Sequence, residues 1–321
     1  MSCIKELKDK ILKGYEINRD EAIRLVTAPL KELCESANEI REKLCGNSFD
    51  LCTIINGKSG RCSENCKFCA QSIHYKVKID EYPILCSDKI LKEAIYNEKR
   101  GILRYSIVTS GRKLSNNEFE KVYESYKLLK EKSEISLCAS HGLLSFEQFE
   151  KLKEVGVLRY HNNLESSRRY FKEICTTHSY DEKINAIKNA QKAGLEVCSG
   201  GIMGMGETMD HRIDMFLELR ELGIKSIPIN ILNPIKGTPF ENLEVLKKEE
   251  ICRIVSICRF IVPSAAIRLA GGRGLMDDKG KDAIKSGANA AISGDMLTTA
   301  GISIEEDMKM IKSLNFEVKR I

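Results

Sequence analysis

Eight short apolar runs, each separated from the next by an amphipathic helical pattern, constrain this chain more than any other feature. The runs are 51–56, 103–109, 134–138, 157–161, 195–200, 226–232, 265–269 and 289–292. Helical spacing of apolar residues fills the gaps near 87–99, 115–131, 145–154, 181–193, 209–222, 247–260 and 277–286, with a last stretch near 303–313. Gly101, Gly156, Gly194, Gly223 and Gly287 fall where a helix ends and the next strand begins. Strands alternating with helices predict a parallel sheet, and eight is the number that closes a (β/α)8 barrel. An open doubly wound sheet is the alternative. Before the first run, residues 3–46 carry only helical spacing. The expectation is an α/β fold: a TIM-type (β/α)8 barrel over 49–321 with an N-terminal helical extension, 1–48, packed on it.

Composition removes several classes of function. The 321 residues carry 51 basic and 46 acidic side chains, a net charge of +5 spread along the chain. That balance argues against nucleic acid as a partner. No window of 18 apolar residues exists to span a membrane, and the first 22 residues lack the apolar core of a secretory signal. Thirteen cysteines are then expected as thiols in a reducing cytoplasm, where metal or sulfur chemistry is the first use to test. The glycine-rich run from Gly200 to Gly206 lacks the spacing and acidic partner of a dinucleotide site, and no Walker motif is present.

Two sets of residues carry chemistry. In RCSENCKFCAQSIHY (61–75), Cys62, Cys66 and Cys69 form a C-x3-C-x2-C array. Structural zinc takes four protein ligands, and a [4Fe–4S] cluster on four cysteines is saturated. Three cysteines leave one iron open to a small molecule. A Cys3His zinc site using His74 is the competing reading. The second set stands on alternate strands: Cys52 on the first, Cys138 on the third, Cys198 on the fifth and Arg268 on the seventh. Alternate strands supply one interior layer of such a barrel. Taken singly, each thiol reads as a buried small hydrophobe. An interior arginine, however, needs an anionic partner, and a thiolate-held iron–sulfur cluster would be one.

With Phe68 between its last two cysteines, the loop resembles the signature of radical S-adenosylmethionine (SAM) enzymes. LEVCSGGIMGMGET (195–208), SIPINIL (226–232) and AIRLAGGRG (266–274) extend that likeness to the biotin synthases, from about Leu33 to Thr299. The resemblance implies a sulfurtransferase of biotin biosynthesis. SAM would bind the open iron of a [4Fe–4S] cluster on Cys62, Cys66 and Cys69. An auxiliary iron–sulfur cluster, [2Fe–2S] in the typical family, would donate sulfur to dethiobiotin. Carried over by position, the auxiliary ligands include Cys138, Cys198 and Arg268. The family's remaining cysteine falls at Ser106 here, so Cys52 is the expected substitute, with Cys45 as its alternative. Phe68, Thr109, Ser110, Glu165 and Lys183 match cofactor-binding positions. Lys183 stands where the family has an arginine, and His161 where it has an asparagine. Asn163, Asn230, Thr298 and Thr299 match substrate-facing positions, although the two threonines also suit a helix cap.

The family further implies a flavodoxin- or ferredoxin-type electron donor, dependence on iron–sulfur assembly machinery, and a homodimer. His74, His141, His178 and His211 are expected at loop or helix surfaces. Cys3, Cys34, Cys86, Cys175, Cys252 and Cys258 are expected to be ordinary thiols. A relative of the hydrogenase maturases is the nearest alternative function, and a non-catalytic metal or electron-transfer protein a more distant one.

Overall fold

A computed structural model describes residues 3–321 of the chain. Three helical segments come first: α1 (Cys3–Ile11), α2 (Arg19–Arg24) and α3 (Leu30–Cys45). Their apolar faces, including Leu7, Ile11, Leu33, Ala37 and Ile40, join the same continuous core as the barrel. The strands follow as β1 (Ser48–Lys58), β2 (Arg104–Thr109), β3 (Ser136–Ser140), β4 (Val157–His161), β5 (Glu196–Cys198), β6 (Gly201–Met203), β7 (Ser226–Ile231), β8 (Ala266–Leu269), β9 (Ala290–Ile292) and β10 (Glu317–Val318).

All pairings are parallel, and β9 returns to β1 to close the cylinder. β5 and β6 are two halves of one stave, so β7, β8 and β9 are the sixth, seventh and eighth. Three of the outer helices begin at a strong cap. Ser115–Glu118, Ser145–Gln148 and Ser179–Glu182 are reciprocal capping boxes, satisfying donors the first turn leaves unpaired.

Four departures from the sequence reading have local causes. The third strand begins two residues later and runs to Ser140, which puts Cys138 in its middle rather than at its end. The fifth stave breaks because the loop after β4 docks into it: Gly200 donates to Asn163 Oδ1 at 3.1 Å, and Glu165 donates to the Gly200 carbonyl at 3.1 Å. A Cβ at Gly200 would stand 1.9 Å from the Pro228 carbonyl, so only glycine admits this approach. The helix expected over 277–286 shrinks to Lys281–Lys285, behind a 3-10 turn at Arg273–Leu275. Arg273 anchors that turn with two bonds to Asp307, at 2.7 and 2.6 Å. Finally, β10 adds a parallel strand beside the first residues of β1, Ser48 opposite Glu317.

Candidate active site

Inward-facing residues recur at every second position along the staves, as pleating requires. They include Cys52 and Ile54 on β1, Arg104 and Ser106 on β2, Cys138 and Ser140 on β3, and Arg159 and His161 on β4. With Cys198 and Arg268 they line one chamber of about 430 Å³. The three thiols and the guanidinium expected to share the lumen therefore do so.

The partner of Arg268 differs from expectation. Its Nη2 donates to Asp50 Oδ1 at 2.9 Å, and its Nη1 donates to Cys52 Sγ at 3.1 Å. Asp50, fully buried, also accepts from Arg104 Nε at 2.9 Å and lies 4.0 Å from Arg159 Nη1. Thus a carboxylate already answers the interior arginine. Three guanidiniums nevertheless surround that single carboxylate, and Glu196 meets Arg159 only from the solvent side. Arg159 Nη1 and Ser106 Oγ are buried without a hydrogen-bond partner. Unpaired donors and surplus positive charge beside three thiols suit an anionic, sulfur-ligated group.

The thiols feel this field unequally. Burial pushes Cys138 up to about 12 despite Arg159 and Arg104 nearby. Burial acts on Cys198 too, but a bond to His161 and the charges of His161, Arg268 and Arg159 bring it down to about 6. Cys52 is raised by burial, partly offset by Arg268. Asp50 is held well below the usual carboxylate range, because Arg268, Arg104 and Arg159 together outweigh its burial. Cys45 does not line the chamber; its sulfur lies 3.4 Å from Arg259 Nη1 beside α3.

The cysteine loop closes the upper side of the chamber, with Phe68 and Cys69 in its wall. Main-chain bonds shape the loop: Cys62 donates to the Gln71 carbonyl at 2.9 Å, Ile73 to the Cys62 carbonyl at 2.9 Å, and Cys69 to the Cys66 carbonyl at 3.0 Å. Sulfurs on one tetrahedral zinc stand roughly 3.8 Å apart, given Zn–S bonds of ~2.3 Å. Cys62, Cys66 and Cys69 do not gather within 4.8 Å of one another. His74 Nε2 lies 3.0 Å from the Ser63 carbonyl. The three sulfurs are not gathered as they would be around one tetrahedral ion.

Polar groups between the two thiol sets come from the strand ends. Glu165, at φ 71°, is a non-glycine residue in left-handed backbone. Burial raises its carboxyl, against Lys183, His161 and the bond from Asn163 Nδ2 at 3.3 Å. Lys183 is buried with its Nζ 3.5 Å from Asn162 Oδ1. Asn230 borders the chamber, but its amide is engaged on both sides, donating to the Gly201 carbonyl at 3.1 Å and accepting from Gly271 at 2.9 Å. Thr109 shares a 3.0 Å hydrogen bond with His141 Nδ1. Ser110 lies outside the lining and donates to the Gly60 carbonyl at 2.6 Å. Thr298 and Thr299 line the chamber, while Ser303 caps the following helix.

The radical SAM superfamily matches residues 58–220, and the biotin and thiamin synthesis associated domain matches residues 228–317. Biotin synthase of Brachyspira hyodysenteriae is 61% identical over 314 residues, covering 98% of this chain and 94% of that one. Biotin synthase of Clostridium botulinum is 59% identical over 318 residues, 99% of this chain and 100% of that protein. This chain belongs to the biotin synthase family. It is a radical SAM sulfurtransferase: the family binds a [4Fe–4S] cluster and SAM, and carries an auxiliary iron–sulfur cluster. Crystal structures of methylornithine synthase (TM-score 0.85, 19% identity, 98% of this chain and 97% of that one) and of a maturase of the [FeFe]-hydrogenase (0.83, 18%, 98% and 75%) share the fold.

Sequence reasoning missed several residues of this enzyme's chamber. Asp50, Arg104 and Arg159 were findable: each stands two positions from a named inward residue, Cys52, Ser106 and His161 respectively. His141 is buried, not exposed; Tyr126, Thr109 and the Tyr160 hydroxyl surround it, and burial lowers it to about 3. Nor are His178 and Cys175 peripheral. The His178 side chain is 6% exposed, and Cys175 abuts Cys66.

Proposed function

We propose that this enzyme converts dethiobiotin to biotin in the single chamber of its barrel, with the radical source at one wall and the sulfur source at the other. The observation that carries this reading is the shared cavity: Phe68 and Cys69 on one side, Cys52, Cys138, Cys198 and Arg268 on the other. When bound, the reduced [4Fe–4S] cluster with SAM supplies the hydrogen-abstracting radical, and the auxiliary cluster supplies the sulfur atom.

In this reading Cys62, Cys66 and Cys69 hold the first cluster. Phe68 lies against the adenine. Thr109 and the main chain at Ser110 receive the amino group of SAM, while Glu165 and Lys183 take its ribose and carboxylate. Lys183 keeps the charge an arginine would bring but loses the bidentate fork. Asn163 and Asn230 face the ureido ring, and Thr298 and Thr299 the carboxylate tail. Cys138, Cys198, Arg268 and Cys52 hold the auxiliary cluster. The orphaned Ser106 hydroxyl and the 3.1 Å contact of Cys52 with Arg268 support Cys52 as the substitute thiolate. The walls exclude water from a radical that attacks whatever is nearest.

We divide the chain into helices 1–48 and a barrel, 49–321, and place it in the cytoplasm as a homodimer served by iron–sulfur assembly machinery and a flavodoxin- or ferredoxin-type donor. Among the described residues no helix is long and apolar enough to cross a membrane, and all thirteen cysteines are free, as a reducing compartment requires. Incubating the reconstituted enzyme anaerobically with dethiobiotin, SAM and reductant tests the reading. Biotin formed alongside 5′-deoxyadenosine is expected; 5′-deoxyadenosine without biotin would contradict it.

A further inference from the structure

The cluster loop has a second neighbour, outside the lining of the chamber. The sulfurs of Cys66 and Cys175 and a ring nitrogen of His178 all lie within 4.8 Å of one another, the one such group of three among the described residues. Cys175 Sγ stands 3.3 Å from His178 Nδ1. A tetrahedral ion bound by sulfur at ~2.3 Å and nitrogen at ~2.0 Å keeps its donors roughly 3.5–4 Å apart, so little side-chain movement closes the site. Glu64, whose side chain is 7% exposed, shares that same nitrogen, its Oε2 2.5 Å from Nδ1, so an ion at Nδ1 replaces the proton between them and leaves the carboxylate beside it as a further anionic donor. Thr177 Oγ1 donates to the same oxygen at 2.8 Å. Asn65 ties the two loops together, accepting from the Thr176 amide at 2.9 Å and meeting Cys175 Sγ at 3.3 Å. Two sulfurs and an imidazole select thiophilic ions over magnesium or calcium.

We propose that, before its [4Fe–4S] cluster is in place, the enzyme binds one thiophilic divalent ion, ferrous iron in the cell, on Cys66, Cys175 and His178. Cys66 then serves two sites in turn. Binding displaces the thiol protons into solvent with no change of oxidation state. As the cluster is built, the bonds to Cys175 and His178 are released and Cys66 joins Cys62 and Cys69. The inference rests on Cys66 being a cluster ligand; its test does not require that a cluster form.

The probe is cobalt(II), titrated anaerobically into the full chain carrying Cys62→Ala and Cys69→Ala. One tight equivalent with visible d–d and thiolate charge-transfer bands is expected. Adding Cys175→Ser or His178→Ala should weaken it by at least ~100-fold, more than the loss usual for a residue that only supports a ligand. Cys175→Ser is nearly isosteric, so it decides the matter if His178→Ala unfolds. No tight equivalent, or an isotherm unchanged by Cys175→Ser, would overturn the proposal; cobalt held instead by the barrel thiols would give that second result. Biotin formation by the wild-type enzyme is a separate measurement and stands or falls independently.

Discussion

In the loop, three thiols sit within the eight residues 62–69, positioned by main-chain turns. At the base of the chamber, three thiols arrive from positions 52, 138 and 198 on three different staves, among three arginines and a buried aspartate. The first arrangement costs the fold little. The second is part of the core and puts charges where they must be paired. A loop of the first kind is read by its spacing; a layer of the second kind is read only by strand register. The difference also predicts which substitutions remove activity alone and which remove structure as well.

The largest effect is expected at the loop. Replacing Cys62, Cys66 or Cys69 by alanine should reduce biotin formation to background and abolish the [4Fe–4S] absorption. The urea-unfolding free energy of the cluster-free protein should move by no more than about 1 kcal/mol. At the base of the chamber the contrast reverses. Asp50→Asn leaves the buried Arg104 and Arg268 without their carboxylate while Arg159 keeps Glu196, and a loss of about 3–5 kcal/mol in the same unfolding assay is expected, whatever the cluster content. Equal destabilisation by the loop and chamber variants would erase the distinction.

Cys52→Ser sharpens it further. The hydroxyl still accepts from Arg268, so stability should stay within about 1.5 kcal/mol, while auxiliary iron and sulfide fall and primary-cluster content holds. Unchanged iron and sulfide would remove Cys52 from the ligand set. The effect that vanishes at neutral pH is a dependence on acidity, seated at the ends of β2 and β3. His141 is held at about 3 by burial, against an unfolded value of ~6.5. Between those values the unfolded chain binds the extra proton, so stability should fall as pH drops from 6.5 toward 3, by up to about 1.4 kcal/mol per pH unit. Asp50, depressed by its arginines, adds a loss of the same sign as pH falls below about 4. Urea midpoints across this range for wild type and His141→Gln should differ in slope; identical slopes would show that His141 does not titrate as its burial demands.

Much of this enzyme was legible before its coordinates. All eight staves fall within a few residues of their apolar runs, because a buried parallel sheet writes itself as continuous hydrophobic segments. Cys52, Cys138, Cys198 and Arg268 could be placed in one lumen by counting strands. Asp50 could be placed in the same lumen, two positions before Cys52, but its partners could not: only the closing of β1 against β2 and β9 brings it to Arg104 and Arg268. The pairing of Cys66 with Cys175 spans more than a hundred residues and depends on two loops meeting, for which no local pattern exists. Asn230 shows a third limit. Sequence placed it at the chamber, but not the two main-chain bonds that occupy its amide.

The claim on which the account turns is that the chamber thiols hold an inorganic sulfur source distinct from the loop cluster. Mössbauer spectra with iron and sulfide counts, on anaerobically purified wild type and on the Cys138→Ala/Cys198→Ala variant, address it most directly. The account predicts two iron–sulfur components in the wild type and loss of one from the variant, with the [4Fe–4S] signal retained. Identical spectra and counts in the two proteins would contradict it.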